Sequence, residues 1–485
     1  MRYGPTLLVR IFLLGSVLLS WPHSRGQADD GGVNRRRREL DEYVQKPDAV
    51  FDWKVIKSTA ADPSSGKRSS HTFIRLVSQT WRSEKDVDRP VWEHWVVVIV
   101  PEKVTSDRAF LFIGGGSNDR PMPEKPDPIA AKLAETTGSV AVELRMIPNQ
   151  PLIFHQDGQP RKEDDLIGYA WDQFLQTGDA TWLPRLPMVK SVVRCMDCIQ
   201  AWGKSQSIPI EKFVVAGGSK RGWTTWMTAA ADDRVEAIVP IVIDVLNNAP
   251  SIQHHARVYG FWATAIGNYY QHRILQRPDH PRMAQLHEIE DPYSYLDRLQ
   301  MPKLVINATG DQFFCPDSSQ FYYDKLPGEK LLRYVPNADH SLKNSDAVES
   351  LIAFHAMILQ QRARPKYDWE FSSDGSIRVR AETPPRKVVV WRASNPKTRD
   401  FRIDTIGPAF RSEELSAEAD GSYVARTPVP DQGWTAFFAE LTFDSGTPLP
   451  LKVTSAVRIL PDKLPFESID IKSVPFEPQA KAKAP

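Results

Sequence analysis

Short uninterrupted apolar runs alternate with amphipathic stretches from about Tyr43 to Arg364. Residues 109–113, 139–144, 213–216, 235–243, 303–308 and 330–335 are rich in Val and Ile and separated by turn residues. That is the pattern of strands buried on both faces of a parallel sheet. Residues 72–81 and 92–100 read instead as an antiparallel pair at a sheet edge. Helical periodicity falls at 128–136, 189–202, 220–231 and 345–361. The alternation predicts a doubly wound, mostly parallel α/β domain over 43–364.

Between Val245 and Met301 the strand pattern disappears over a stretch too long for an ordinary βα connection. It predicts a helical cap whose His254, His255, Trp262, Tyr269, Tyr270, His272 and His280 wall a pocket or pack the insertion down. A second insertion, 150–185, carries Glu163, Asp164, Asp165 and Trp171 and is expected to flank the same cleft. Beyond Pro365 the texture changes. Alternating segments at 376–380, 387–392, 401–405, 422–426, 434–443 and 451–460, punctuated by Asp-Gly, Pro-Pro and Ser-Gly turns, predict a small β-sandwich over 366–462. The remainder, 463–485, ends in Lys, Ala and Pro and is expected to be largely disordered.

Composition narrows the function classes. The chain has 485 residues, 41% of them hydrophobic, enough for a large core. Its 61 basic and 60 acidic residues leave no overall field to draw nucleic acid or an anionic membrane. Arg2 and Arg10 precede the apolar run 11–20, and small residues follow at Gly26-Gln27-Ala28, the layout of a secretory signal peptide cleaved near Ala28. A polar linker over 29–42 contains Arg35 to Arg38, read as a solvated stretch or processing site. Elsewhere no run reaches the roughly 20 apolar residues of a membrane span. The expected location is periplasmic or extracellular. Cys195, Cys198 and Cys315 make neither a disulfide framework nor a zinc site and are expected to be buried thiols. No metal and no cofactor is expected.

Chemistry concentrates at Phe213-Val-Val-Ala-Gly-Gly-Ser-Lys-Arg-Gly-Trp223. An apolar strand runs into a glycine-flanked serine and then into a helix, the context of a nucleophile elbow. Gly217 and Gly222 supply the small residues that a sharp turn demands. Arg221 departs from the G-x-S-x-G pattern at the second glycine. Two later strands end in Thr309-Gly310-Asp311 and in Pro336-Asn-Ala-Asp339-His340, so serine, acid and histidine follow in the chain order of α/β-hydrolases. Ser219 is then the nucleophile, His340 its base and Asp311 the residue that orients the base. Asp244, at the end of the preceding strand, is the other acid available, while Asp339 reads as structural.

An oxyanion hole is expected from the Lys220 amide and from the loop Gly114-Gly115-Gly116. The side chains of Lys220 and Arg221 stand where a helix N-terminus disfavours cations. Their charge needs an anion: the oxyanion, an acidic substrate group, or a protein carboxylate such as Glu163, Asp164 or Asp165.

The Gly114-Gly-Gly loop, Ile147-Pro-Asn-Gln-Pro151, Glu163-Asp-Asp-Leu-Ile with Trp171, Arg185-Leu-Pro-Met-Val-Lys190, Gly218-Ser-Lys-Arg-Gly-Trp223 and Thr309-Gly-Asp311 together resemble the PhoPQ-activated pathogenicity-related protein family. The resemblance implies an α/β-hydrolase fold in an exported protein and no particular substrate. A local similarity to glucuronoyl esterases, whose elbow also has a basic residue after the serine, implies an oxyanion role for Lys220.

Three functions fit these observations: a carboxylic ester hydrolase acting on a small-molecule or polymer-derived ester, a serine peptidase of the prolyl dipeptidase type, and a non-catalytic binding or signalling protein that keeps the fold. The modest cap favours the first. Oligomeric state is not legible.

Overall fold

A computed structural model describes residues 39–62 and 68–478; the signal-peptide and arginine-run expectations lie outside them. Residues 39–45 form a helix (α1), and its Leu40 and Val44 are buried in the main core. The fold therefore begins inside the expected linker.

Nine strands form one sheet: β1 (Asp52–Thr59), β2 (Ser69–Thr80), β3 (Val91–Pro101), β4 (Arg108–Ile113), β5 (Ala141–Leu144), β8 (Lys212–Gly218), β9 (Val235–Ile241), β10 (Lys303–Ala308) and β11 (Lys330–Val335). A two-stranded hairpin of β6 (Leu152–Ile153) and β7 (Pro160–Arg161) lies apart. Their order is β1-β2-β3-β5-β4-β8-β9-β10-β11. Antiparallel pairing covers β1 to β5 and parallel pairing the rest. This is the α/β-hydrolase architecture.

Alternate residues of the central strands feed two cores. Leu111, Ile113, Val142 and Val215 face one, while Phe110, Ala141, Val214 and Ala216 face the other. The first is covered by α3 (Glu163–Thr177), α4 (Arg185–Ser205) and α5 (Lys220–Ala231). The second is covered by α2 (Pro128–Thr137) and α9 (Ala347–Leu359). β1 escapes the hydrophobic pattern because it is an edge strand whose side chains mostly face solvent.

The cap contains α6 (Asn248–Tyr259), α7 (Gly267–Gln271) and α8 (Met283–Glu290). Two antiparallel sheets follow α9 and share a core through Val379, Val390 and Phe437, the expected sandwich. Two expectations fail here. Residues 401–405 are not a strand: Asp400 accepts from Arg402 N at 3.0 Å and from the Thr405 hydroxyl at 2.9 Å, which starts a helical turn at Ile403–Ile406. Residues 463–478 are ordered. Val474 is buried, Pro475 O accepts from Trp262 N at 2.8 Å, and Glu477 pairs with Arg402 at 2.8 Å. These contacts seat that segment on the cap.

Candidate active site

β8 ends at Gly218 and α5 begins at Lys220, leaving Ser219 alone to make the turn with φ 58° and ψ −128°. This positive φ strains a serine by about 1–3 kcal/mol. Close packing holds it there: Ser219 N donates to Ile241 O at 2.8 Å. A Cβ on Gly217 would lie 2.7 Å from Arg221 O, and one on Gly222 2.9 Å from Gly217 O. Both glycines are thus required, and Gly222, one place later than the usual glycine, packs against Gly217 O and Ile241 O. The first-turn amides of α5, Lys220 among them, have no intrahelical acceptor.

Parallel pairing of β10 with β11 runs from Lys303↔Lys330 to Ala308↔Val335, so the loops after them emerge side by side. One carries Asp311 and the other His340. His340 Nδ1 donates to Asp311 at 2.8 and 3.0 Å. Asp311 is 3% exposed and also accepts from Phe313 N at 2.8 Å. Phe313 lies against the imidazole, ring centroids 4.2 Å apart. Gln312 accepts from His340 N at 3.1 Å. Ser219 and His340 are not hydrogen-bonded to each other among the described residues. Ser219 lines a cavity together with Phe313 and Phe314, the rings that flank His340; His340 itself is not among the lining residues.

Asp244 is engaged elsewhere. Its carboxylate accepts from Tyr322 and Tyr334 hydroxyls at 2.6 Å each. Burial pushes its carboxyl up to about 7, helped by the charges of Asp311 and Asp317 and opposed by the two phenols. Asp339 turns onto Ser341 N at 2.9 Å, a local loop bond.

The basic pair after the serine is neutralised by the neighbouring insertion. Lys220 Nζ lies 2.8 Å from Glu163 and 3.3 Å from Asp164. Arg221 pairs with Glu163 and donates from Nε to Ile147 O at 2.6 Å. Burial raises the Glu163 carboxyl, but the Arg221 and Lys220 charges outweigh it and hold the group at about 2. Of the three anions considered for these cations, protein carboxylates take the place. The third acid, Asp165, bonds His272 at 2.7 Å instead. Gly115 lies beneath the Arg221 guanidinium, where a Cβ would come within 2.6 Å of Nη2, and Gly116 packs on Met146. Lys220 lines the cavity; Gly115, Gly116 and Arg221 are not among its lining residues.

That cavity measures about 210 Å³ and is largely apolar, with Ile243 and Val245 beyond β9, Ile252 and Leu275 from the cap, and Trp171 and Trp223 beside the elbow. Of the cap's aromatic and histidine side chains expected to wall it or pack the insertion down, Tyr269 lines it, and from the second insertion Asp164 and Trp171 do as expected. Trp262 is buried in a separate cluster within the cap, and His254 pairs with Asp317 at 2.9 Å. Sequence reasoning missed the aliphatic lining, which carries no motif, and read Arg185 only as the start of a family motif, not as a cavity residue. His254, Cys315 and Asp317 bring potential ligand atoms within 4.8 Å of one another. Asp317 already bridges His254 and Arg399, the latter at 2.7 Å, which ties the cap to the sandwich. All three cysteines are buried free thiols, as expected.

A family profile described as PhoPQ-activated pathogenicity-related protein matches residues 40–402. This protein belongs to the PhoPQ-activated pathogenicity-related family. The family member autocrine proliferation repressor protein A of Dictyostelium discoideum is 40% identical over 461 residues, 88% of this chain and 92% of that protein. Among solved structures, acetyl xylan esterase 1 from Thermoanaerobacterium sp. JW/SL YS485 superposes with a TM-score of 0.49 at 13% identity, over 67% of this chain and 93% of the esterase. The acetyl xylan esterase of Paenibacillus sp. R4 gives 0.43 at 15%, over 64% and 90%. At that level neither bears on the family's substrate. No helix of the described residues is long and apolar enough to cross a membrane.

Proposed function

We propose that this protein is an exported serine hydrolase that cleaves carboxylic esters, with Ser219 as nucleophile, His340 as general base and Asp311 as the orienting acid. One observation supports the reading: the hydrogen-bonded Asp311–His340 pair packs against Phe313 and Phe314, which line the same cavity as the strained Ser219. A serine hydroxyl is a weak nucleophile until a base takes its proton. His340 donates from Nδ1 to a buried carboxylate, which leaves Nε2 as the basic nitrogen and stabilises the imidazolium that forms. Ser219 Oγ attacks the ester carbonyl, and the oxyanion is received by the Lys220 amide at the positive end of α5 and by an amide of the Gly115-Gly116 loop. His340 returns the proton to the departing alcohol. Water repeats the sequence on the acyl-serine. The Lys220 and Arg221 side chains position this elbow through Glu163 and Asp164.

An ester fits better than a peptide because the cavity is a small apolar chamber under a modest helical cap. Turnover of p-nitrophenyl acyl esters against aminoacyl p-nitroanilides tests this. Ester hydrolysis lost in Ser219→Ala, with melting unchanged within a few degrees, is the expected result. Faster anilide cleavage would assign a peptidase, and no cleavage of either would leave a binding protein. Export is tested by the N-terminus of protein recovered outside the cytoplasm, expected near Ala28.

A further inference from the structure

Arg185 opens α4 and lies on the wall of the Ser219 cavity, yet it is only 1% exposed. Its guanidinium carbon stacks 4.7 Å from the Trp223 ring centroid. Nε and Nη1 are buried and have no hydrogen-bond acceptor among the described residues. A guanidinium keeps its charge at any biological pH, so a desolvated one without acceptors is costly to maintain.

The carboxylate beside it does not answer this need. Glu290 accepts the backbone N–H of Arg185 at 3.0 Å on one oxygen and the Trp171 indole N–H on the other. Burial raises the Glu290 carboxyl, with Arg185 and these bonds opposing. The other cation on the wall, Lys220, is held by Glu163 and Asp164. The rest of the lining is mostly apolar, with Ile252, Leu275 and Met283 among it; its acids are Asp164, which pairs with Lys220, and Asp279, which pairs with Lys472. The chamber therefore has an apolar body, a nucleophile position and one cation whose N–H groups await oxygen.

We propose that Arg185 is a substrate-recognition residue that receives a carboxylate carried by the substrate, so that the ester cleaved at Ser219 is a half-ester with an apolar frame. This rests on the reading of Ser219 as nucleophile. A carboxylate can accept two parallel N–H bonds from one guanidinium, from Nη2 and either Nε or Nη1, and cancels its charge, which a neutral carbonyl cannot do. A neutral diester would leave the cation buried and uncompensated, so discrimination against it is strong.

Binding is measured by calorimetry on the Ser219→Ala protein, with monomethyl succinate, adipate and suberate against the corresponding dimethyl esters. At least one monoester should bind about ten- to a hundredfold more tightly than its diester, the range for a hydrogen bond to a charged group. Arg185→Met should erase that preference with little change in melting temperature, since the side chain loses only its stacking on Trp223, which an apolar Met partly replaces, and no hydrogen bond. Arg185→Lys should keep a reduced preference, because an ammonium cannot bind in the two-pronged geometry. The proposal is overturned if every monoester binds no more tightly than its diester, or if the preference survives in Arg185→Met. A lower melting temperature in Arg185→Met with an unchanged preference overturns it too, by making the residue structural. Fluorophosphonate labelling of the Ser219 protein is independent of these titrations, so failure of the nucleophile assignment would be seen separately.

Discussion

Asp244 and Asp311 follow neighbouring parallel strands, β9 and β10, and both are almost fully buried, at 2% and 3% exposure. From chain position either can orient a base. Their surroundings give them opposite properties. Asp311 holds an imidazole on one side and a backbone amide on the other. Asp244 meets two phenols and no base. Topology makes a carboxylate available at a strand end; the donors that converge on it decide whether it stabilises a catalytic cation or holds loops together.

Turnover is the sharpest way to break this contrast. Asp311→Asn should lower kcat by about 10⁴-fold through loss of the correct imidazole tautomer. Asp244→Asn should stay near wild type in the same assay. A reversed ranking would move the orienting acid to Asp244.

Stability against pH gives the next largest effect. In the folded protein the Asp244 carboxyl sits at about 7, above its ordinary 3.8. The folded state keeps a proton in that window which the unfolded chain has released, so stability falls as pH rises through it. The contribution is complete below about 3.8 and is lost as pH passes 7. An amide at this position can serve both phenols and does not titrate. Urea midpoints from pH 4 to 8 should show Asp244→Asn gaining on wild type by a few kcal/mol as pH rises. A difference that does not vary with pH would contradict the assignment.

Smaller effects test the donors. Tyr322→Phe removes one phenol from the Asp244 carboxylate and should cost about 1–3 kcal/mol at pH 8. Asp339→Ala, which loses only two local bonds from Ser341 in an exposed loop beside His340, should change stability by about 0.5 kcal/mol or less and leave turnover near wild type. A large loss of turnover there would bring Asp339 into the site.

Much of this arrangement was legible in the chain because it depends on local order. Strands β10 and β11 and helix α5 begin and end where their apolar runs do. Glycines at 217 and 222 announce a turn that only small residues permit. Hydrophobic pattern could not reveal β1, whose residues mostly face solvent, nor the short strand Arg411–Glu414, which is polar and exposed throughout. The order of 463–478 was hidden by composition: its few apolar residues find partners on a cap more than 180 residues earlier. Pairing of charges is likewise a three-dimensional property. Lys220, Arg221 and Arg185 look alike in sequence, yet two are neutralised by one insertion and the third keeps two guanidinium nitrogens without an acceptor among the described residues.

The central claim is that His340 and Asp311 activate Ser219, and reaction with a fluorophosphonate followed by peptide mass mapping tests it most directly. A single adduct on the peptide containing Ser219, absent in Ser219→Ala and formed far more slowly in Asp311→Asn, is the predicted result. No adduct on the folded wild-type protein, or an adduct that persists in Ser219→Ala, would contradict the account.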